Sequence, residues 1–412
     1  MKNVIILYYP PFRGGQFPIH FMQDLKGYNF FLLVIKEDLE QHKKFETLNY
    51  VKEVITVNYT IENLIEYCKD IQKKYGIIHN IIYLDENSVQ LCGELLKYFD
   101  ISPNNLDRYS DKWAMSEKLK SSEVRIPKGI LFSDDEYNNH STDYLLEIEK
   151  IIGNYPLFIK PRDLSGSRGT SLILNRKEFI SWTEHKDKLS YLVQEYLDGK
   201  LLHCECFIKN YEILDSFVFE YSQPGFFFSK GFPVGSISLP LNHPIKKRVS
   251  SFTKDVLQGL GIIKNGVTHI EVYLNRNDEL IFLEAAARPP GLVGNLLYKK
   301  YLNISINEIH LLLQLEEFHQ HLFDFKVNNY SARHIFPFTK TGKITKLINK
   351  PLINSAFFEN FTHNIGDEVK KSDNFFNTAG TIVLWNKNYD ELRKDFLTLS
   401  NYNPYEIEPQ CF

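Results

Sequence analysis

Short apolar runs alternate with amphipathic segments over the first hundred residues. The runs that predict strands cover residues 3–8, 29–36, 52–58 and 79–84. Apolar residues recur at helical spacing through residues 61–71, which predicts a helix before the last of these strands. Strands that alternate with helices form a parallel sheet, with ligand-binding loops at the carboxyl ends of the strands. Asp85 and Glu86 follow such a strand and either border a substrate or cap the next helix.

A hairpin is predicted further along the chain, where residues 267–274 alternate like a strand and residues 280–286 return. If the turn centres on Asn277 and Asp278, Glu271 lies directly across from Glu284. The same register sets His269 opposite Ala286. Two carboxylates that face each other at about 5 Å destabilise a hairpin unless a cation lies between them. Oxygen ligands beside a phosphate favour Mg²⁺, whereas the alternative is a pair of solvated glutamates on an outer face.

Arginine and lysine residues at strand ends point to an anionic ligand. The returning strand continues into Arg288-Pro-Pro-Gly291, and this order of carboxylate, carboxylate and arginine suits a metal-bridged polyphosphate. Residues 155–161 form an apolar run that ends near Lys160, and a lysine there needs an anion or water. Lys112, near the start of a helix capped by Ser110 or Asp111, either reaches a phosphate or is solvated.

Two loops complete the candidate nucleotide site. The first is a run of small residues that exposes backbone N–H groups and can close over phosphates, or is merely a flexible hairpin tip. Its members are Ser165, Gly166, Ser167, Arg168 and Gly169. The second is a strand end that either reads adenine through its backbone or is an ordinary strand end. Its members are Gln194, Glu195, Tyr196 and Leu197.

The order and spacing of these segments resemble the ATP-grasp superfamily, and within it the ADP-forming carboxylate–amine ligases such as the bacterial L-amino-acid ligases. The segments that carry the resemblance, which covers nearly the whole chain, are DKWAMSEKLKSSEVRIPKG, PLFIKPRDLSGSRGTSLI, LVQEYLDG, THIEVY and FLEAAARPPG. The resemblance implies an α/β and α+β chain with the ATP-grasp fold. Its expected parts are a Rossmann-like parallel-sheet domain at 1–104, an ATP-grasp domain at 105–315 with a lid subdomain at about 113–193, and a C-terminal α+β cap at 316–412.

The resemblance also implies a role for each candidate residue. Lys112 and Lys160 should contact the phosphates of ATP, and residues 165–169 should close over them. Residues 194–197 should hold adenine. The expected metal ligands are Glu271 and Glu284, binding Mg²⁺ or Mn²⁺, and the expected catalytic residues are Arg288, which steadies the phosphoryl group, and His269. The alternative for His269 is a buried histidine bonded to backbone.

Two positions depart from the pattern of the family. Ala286 stands where an asparagine ligand is usual, so water or substrate must supply one metal ligand. Leu201 stands where an acidic residue commonly contacts the ribose, which leaves Glu205 as a candidate for the nucleotide site.

The implied reaction joins a carboxylate, expected to be that of an amino acid, to an amine through an acyl phosphate. Residues 221–233 lie where the ligases line their acyl pocket. This segment has two possible interpretations. In the first, its three phenylalanines form an apolar wall of the pocket and Lys230 pairs with a second carboxylate. In the second, the segment is a buried strand with one exposed lysine. Arg333 and His334 are weaker candidates for contact with the second substrate. The alternatives are carboxyphosphate chemistry, as in purine-pathway carboxylases, and a nucleotide-binding regulatory protein without catalysis.

Composition narrows the class of protein. The chain has 412 residues, 43% of them hydrophobic, which is enough for two or three domains with cores. A net charge of −3 argues against nucleic acid as a partner. An odd number of cysteines, five, indicates a reducing compartment. The chain has no apolar run of roughly 18 residues, so no membrane partner is expected and the protein is predicted to be cytoplasmic. The resemblance implies small-molecule substrates. A homodimer stays open.

Overall fold

The computed structural model describes residues 1–8, 25–39, 50–102, 104–315 and 325–409. Its α-helices are α1 Ile61–Tyr75, α2 Glu86–Tyr98, α3 Lys112–Leu119, α4 Asp134–Ile152, α5 Arg176–His185, α6 Pro244–Leu260, α7 Gly294–Leu302, α8 Ile306–Gln314 and α9 Tyr389–Leu399. Its strands are β1 Lys2–Leu7, β2 Tyr28–Val34, β3 Glu53–Thr56, β4 Ile78–Tyr83, β5 Gly129–Leu131, β6 Leu157–Pro161, β7 Ser171–Ile173, β8 Tyr191–Glu195, β9 Gly199–Lys209, β10 Glu212–Tyr221, β11 Val234–Ser238, β12 Asn265–Asn275, β13 Leu280–Ala286, β14 Tyr330–Phe336, β15 Gly342–Leu347, β16 Ala356–Asn360, β17 Glu368–Val369, β18 Gly380–Asn386 and β19 Tyr405–Pro409. None of these helices combines the length and the apolar character needed to cross a bilayer.

The N-terminal sheet is parallel, as predicted, with the strand order β3-β2-β1-β4. β1 and β2 are apolar on both faces and almost fully buried, which is typical of parallel sheets covered on both sides. β2 and β3 end about two residues before the apolar runs that predicted them, and α1 extends four residues beyond its predicted end at Ile71. The loop after β4 brings residues 84–87 to the ligand cavity described below.

A second sheet, the lid sheet, has the order β5-β8-β6-β7 with antiparallel neighbours. α4 and α5 cover it with an aromatic core in which Phe132, Phe179 and Trp182 make ring contacts. Such ring pairs stabilise the core beyond the area that they bury. The lid sheet is therefore a small unit with a core of its own.

A large antiparallel sheet carries most of the candidate site, with the order β13-β12-β9-β10-β11-β14-β18-β16. The C-terminal strands divide: β14, β16 and β18 extend this large sheet, whereas β15, β17 and β19 form a small sheet of their own. α9 packs on β14 and β18, so the C-terminal part is α+β. The boundaries at residues 104 and 315 remain predictions.

The predicted hairpin forms from β12 and β13, and Glu271 pairs with Glu284 while His269 pairs with Ala286, as expected. The turn is different. Beyond Glu271 the register shifts, so that Val272 pairs with Phe282 and Leu283 is an extra residue in β13. The turn therefore centres on Asn277, and a β-bulge at Leu283 restores the predicted pairing. Bulges next to active sites re-aim side chains and free backbone groups.

Candidate active site

One cavity of about 700 Å³ lies between the lid sheet, the large sheet and the loop after β4. Most of the residues singled out in the sequence line it: Lys112, Lys160, Ser165, Gly166, Ser167, Arg168, Gln194, Glu195, Tyr196, Leu197, His269, Glu271, Glu284 and Arg288. Gly169 and Glu205 do not line it. Gly169 has a positive φ, and a Cβ there would lie 2.8 Å from Pro161. Only glycine therefore allows the loop to pack this closely against Pro161.

The two facing carboxylates lie on the floor of this cavity. Glu271 accepts a hydrogen bond from the hydroxyl of Tyr221 at 2.9 Å. The Nζ of Lys112 lies 3.6 Å from Oε2 of Glu284, whose side chain is one third exposed. Burial would raise the pKa of Glu271, but the bonds from His269 and Tyr221 lower it, so the carboxylate is charged. Two carboxylates that line one cavity suit a hard divalent cation, whose remaining ligands would be oxygens of substrate or water.

Behind the floor, Glu205 is fully buried and bonds to two histidines. Its Oε1 lies 2.7 Å from Nδ1 of His203 and 2.6 Å from Nδ1 of His269, and the hydroxyl of Tyr298 donates to Oε2. Burial alone would raise the pKa of Glu205, but the histidines hold it well below its usual range. Glu205 does not line the cavity, and its place at the nucleotide site stays a prediction that this position does not support.

The partners of His269 are carboxylates, so the alternative of a backbone-bonded histidine is wrong. Its Nδ1 faces Glu205, and its Nε2 lies 3.5 Å from Glu271. Burial opposes the charged form, yet the two carboxylates raise the pKa of His269 to about 9. With a carboxylate facing each ring nitrogen, His269 is placed to donate hydrogen bonds to both. The alternation of His203 and Glu205 on β9, opposite His269, could have signalled this network in the sequence.

The two lysines are held by backbone carbonyls and face the cavity. Asp111 caps α3 by accepting the N–H groups of Trp113 and Ala114, which fixes Lys112 at the first helical position. The Nζ of Lys112 donates to the carbonyl of Leu164 at 2.7 Å. The Nζ of Lys160 donates at 3.3 Å to the carbonyl of Leu283, the bulged residue. Burial lowers the pKa of Lys160 to about 8, although Glu284 opposes this effect.

The loop of small residues is packed rather than a free hairpin tip. Gly166, Ser167 and Gly169 all have positive φ, a conformation that bends the loop and turns its backbone N–H groups. The guanidinium of Arg168 lies 5.2 Å from the ring centre of Phe376, and a Cβ on Gly166 would lie 3.0 Å from the same ring. Phe376 and its neighbour Phe375 come from the C-terminal part of the chain and were not anticipated.

The strand end after β8 lies beside an apolar part of the cavity lining, which we call the apolar slot. The carboxylate of Glu195 accepts the N–H of Lys128 at 2.8 Å, which ties the slot to the strand beside it. Leu197 and Leu201 pack with Tyr273, and Leu283 borders the same cluster. Leu201 is 4% exposed and apolar, so this position supplies a wall and no acidic contact. An aromatic ring such as a purine base fits between such walls.

Arg288 is held by the N-terminal domain. Its guanidinium pairs with the carboxylate of Glu86 and also donates to the carbonyl of Pro289 at 2.8 Å. Burial disfavours the charge, but Glu86 raises the pKa of Arg288 above its usual value. Asp85 meanwhile caps α2. Asp85 therefore caps the helix and also lines the cavity, whereas Glu86 lines the cavity and pairs with Arg288.

Another part of the cavity lining combines apolar side chains with one arginine. The expected strand at residues 225–230 is instead a 3-10 helix; its Phe226 lines the cavity, and its Lys230 is exposed away from it. Arg333 lines the cavity on β14. His334 points to the opposite face, where it is buried and bonds to the carbonyl of Phe396. Of the two candidates for contact with a second substrate, only Arg333 reaches the cavity.

Replacing Lys160 by methionine is expected to stabilise the empty protein. The side chain is 4% exposed, and a pKa lowered from 10.5 to about 8 corresponds to roughly 3 kcal/mol against the charged form. We expect a gain of roughly 1–3 kcal/mol in the free energy of unfolding at pH 7, measured by denaturant titration. The gain should shrink between pH 8 and pH 10.5, because the folded lysine loses its proton before the unfolded one.

Lys200 on β9 provides the control, since it is exposed and pairs with Glu220 at 3.3 Å. Lys200→Met should leave the stability almost unchanged at every pH. A Lys160→Met protein that is less stable than the wild type at pH 7 would contradict the claim that the buried charge of Lys160 destabilises the empty protein.

Comparison with known proteins agrees with this geometry. Residues 109–291 match the ATP-grasp domain family. The L-arginine-specific L-amino acid ligase of Bacillus subtilis is 27% identical over 248 residues, which is 57% of each protein. A D-alanine–D-alanine ligase of Prochlorococcus marinus is 25% identical over 234 residues, 54% of this chain and 62% of that protein. The chain thus spans about three fifths of the length of these curated relatives.

Solved structures extend the similarity of fold to the whole chain. The structure of L-amino acid ligase from Bacillus licheniformis aligns with a TM-score of 0.72 at 17% identity, over 100% of this chain and 99% of that one. Phosphoribosylglycinamide synthetase from Anaerococcus prevotii aligns with a TM-score of 0.64 at 15% identity, over 99% and 100%. The fold class predicted from the sequence is confirmed. Residues 109–291 of this chain are therefore similar to the ATP-grasp domain family, and the relatives that it matches are named as ligases.

Proposed function

We propose that this protein is an ADP-forming carboxylate–amine ligase that joins the carboxylate of an amino acid to an amine. The observation that carries the proposal is that one cavity is lined by three cations and two facing carboxylates. The cations are Lys112, Lys160 and Arg288, and the carboxylates are Glu271 and Glu284. An apolar part of its lining near Leu197 suits adenine, and another apolar part near Phe228 and Ile335 suits a second molecule. The likeness to L-amino acid and D-alanine–D-alanine ligases supports this class of reaction.

In the first step an oxygen of the substrate carboxylate attacks the γ-phosphorus of ATP. The bond from that phosphorus to the bridging oxygen breaks, and ADP leaves an acyl phosphate behind. Lys160 and Lys112 lie where they can neutralise the phosphates, and Arg288 where it can hold the moving phosphoryl group. A divalent cation such as Mg²⁺ or Mn²⁺, when bound by Glu271 and Glu284, supplies further positive charge to the phosphates. The packed loop at residues 165–169 would exclude water and so protect the acyl phosphate.

In the second step the amine attacks the acyl carbon, the carbon–oxygen bond to phosphate breaks, and the released phosphate can take the proton of the amine. The carboxylates of Glu205 and Glu271 raise the pKa of His269, which favours its protonated form and makes it a poor acceptor for that proton. Its place between Glu205 and Glu271 instead assigns it to holding Glu271 in position and offering positive charge. Catalysis then rests on positioning and charge rather than on a nucleophile of the protein.

A screen for phosphate release tests the proposal. The protein is incubated with ATP, Mg²⁺ and the common amino acids, singly and in pairs, and both nucleotide and phosphate are quantified. We expect ADP and phosphate that depend on particular pairs, with the joined product identified by mass spectrometry. AMP and pyrophosphate would refute the mechanism. Turnover that requires bicarbonate would favour carboxyphosphate chemistry, and ATP binding without turnover for any pair would favour a regulatory protein.

A further inference from the structure

The loop of small residues at 165–169, which we call the phosphate loop, lies between β6 and β7 of the lid sheet. An aromatic side chain from the C-terminal part of the chain holds it. A Cβ on Gly166 would lie 3.0 Å from the ring of Phe376. The guanidinium of Arg168 lies 5.2 Å from the centre of the same ring, a distance at which a cation and an aromatic face attract each other. Phe376 therefore contacts two residues of the phosphate loop at once.

The preceding residue, Phe375, anchors this side chain to the large sheet. The ring of Phe375 lies 4.7 Å from that of Phe228 and packs on the apolar cluster that Phe228 forms with residues of β11 and β14. The backbone N–H of Phe376 donates to the side chain of Asn374 at 2.8 Å, which stabilises the turn. Phe376 itself is 39% exposed, so its contacts with the phosphate loop can break without opening a core.

A second contact comes from Gly225, the first residue of the 3-10 helix. A Cβ on Gly225 would lie 2.6 Å from Oγ of Ser167 and 3.1 Å from the ring of Phe375. Only glycine therefore lets the phosphate loop, the 3-10 helix and the C-terminal turn approach so closely. Residues of all three segments line the ligand cavity, so together they form part of one wall.

The phosphate loop begins beside the charged residues of the candidate site. The Nζ of Lys112 donates to the carbonyl of Leu164 at 2.7 Å and lies 3.6 Å from the carboxylate of Glu284. Phosphates that reach Lys112 and Glu284 therefore lie next to the phosphate loop. Their direct route in and out opens when this loop moves away from Phe376 and Gly225.

We propose that Phe376 is a latch that holds the phosphate loop closed against Gly225, and that nucleotide exchanges only when this latch opens. The proposal rests on the nucleotide binding of the proposed function and adds to it a control of nucleotide exchange by the C-terminal part of the chain. The contacts of the latch are made within the protein, so they favour the closed loop to the same extent before and after nucleotide binds. Losing them should therefore raise the rates of association and dissociation by the same factor and leave the dissociation constant almost unchanged.

Mixing with a fluorescent ADP and Mg²⁺ in a stopped-flow instrument measures both rates. Phe376→Ala should raise each of them roughly 3–30-fold, the range expected when a partly buried aromatic ring and its cation–π contact are lost. The dissociation constant should change by less than about three-fold. Phe376→Tyr keeps the ring and should behave like the wild type. A weaker dissociation constant with an unchanged association rate would overturn the latch, because it would place Phe376 against the nucleotide instead.

Trypsin cleavage after Arg168 measures the same opening without nucleotide. Cleavage of a loop follows the population of its open form, so Phe376→Ala should be cut there faster by a similar factor, with the product identified by mass. Phe232→Ala is the matched control, since Phe232 is an exposed aromatic residue outside the cavity, and it should match the wild type in both experiments. Equal cleavage of Phe376→Ala and the wild type would count against the latch. If no form of the protein binds nucleotide, the proposed function falls and the cleavage rates still decide on the latch.

A reversible cross-link keeps Phe376 in place and decides the question if Phe376→Ala fails to fold. In Ser167→Cys/Gly225→Cys the two thiols would lie close enough for a disulfide, because a Cβ on Gly225 is 2.6 Å from Oγ of Ser167. The oxidised protein should take up the fluorescent ADP at least roughly ten-fold more slowly than the same protein after reduction. Equal association in the two forms, with the cross-link confirmed by mass, would refute the latch and leave the ligase proposal standing.

Discussion

Glu284→Gln should lose at least roughly 10²–10³-fold in the rate of phosphate release at saturating substrates. The change keeps the shape of the side chain and removes one of the two charges that face each other across the hairpin. With one carboxylate left, the cation that neutralises the phosphates would bind weakly, and Lys112 would lose an acidic neighbour at 3.6 Å. Phosphate release measured over a titration of Mg²⁺ should show a half-saturating concentration raised at least about ten-fold.

Glu279→Gln is the control for this variant. Glu279 lies on the turn of the same hairpin, exposed and paired with Arg125, and it does not line the cavity. Its replacement should leave both the rate and the Mg²⁺ dependence unchanged. The midpoint of thermal unfolding without ligand should change little in Glu284→Gln, because the lost repulsion from Glu271 is offset by the lost attraction to Lys112 and Lys160. An active Glu284→Gln enzyme with a normal Mg²⁺ dependence would contradict a metal site on this hairpin.

The hairpin that carries this prediction was accessible from the sequence because its signal is local. Alternation with period two, a turn of five polar residues and a return strand fix which side chains share a face. The prediction nevertheless reached the pairing of Glu271 with Glu284 through a turn centre that is half a residue away from the observed one. The bulge at Leu283 compensates, and nothing in the alternation of β13 announces it, because a bulge depends on how the partner strand packs.

The features that the sequence did not reveal depend on strands far apart in the chain. Phe376 closes over Gly166 from a segment that lies more than two hundred residues later. The clamp on His269 requires β9 and β12 to be neighbours, and the position of Arg333 requires β14 to pair with β11. Local propensity and periodicity contain no information on which strands pair. The resemblance to a family predicted the nucleotide site, whereas these contacts became visible only in the folded chain.

Arg288→Gln should produce an equally large loss by a different route. In phosphoryl transfer, an arginine that stabilises the charge of the moving group contributes about 10³–10⁵-fold to kcat. We expect kcat to fall at least roughly 10³-fold, while the affinity for ATP, which depends on the adenine slot and the lysines, changes little. Equilibrium binding of ATP and single-turnover formation of ADP separate these two quantities.

Glu86 allows a more specific prediction. It pairs with Arg288 and orients it, and as an anion it is not expected to bind the phosphates itself. Glu86→Gln leaves the guanidinium charge in place and removes only its anchor, so a smaller loss of roughly 10–100-fold in kcat is expected. Once Arg288 is gone the anchor has nothing to hold, and the double variant Glu86→Gln/Arg288→Gln should be no slower than Arg288→Gln alone. Losses that multiply in the double variant would mean that Glu86 acts on the substrate directly. A small effect of Arg288→Gln would mean that another cation of the cavity steadies the phosphoryl group.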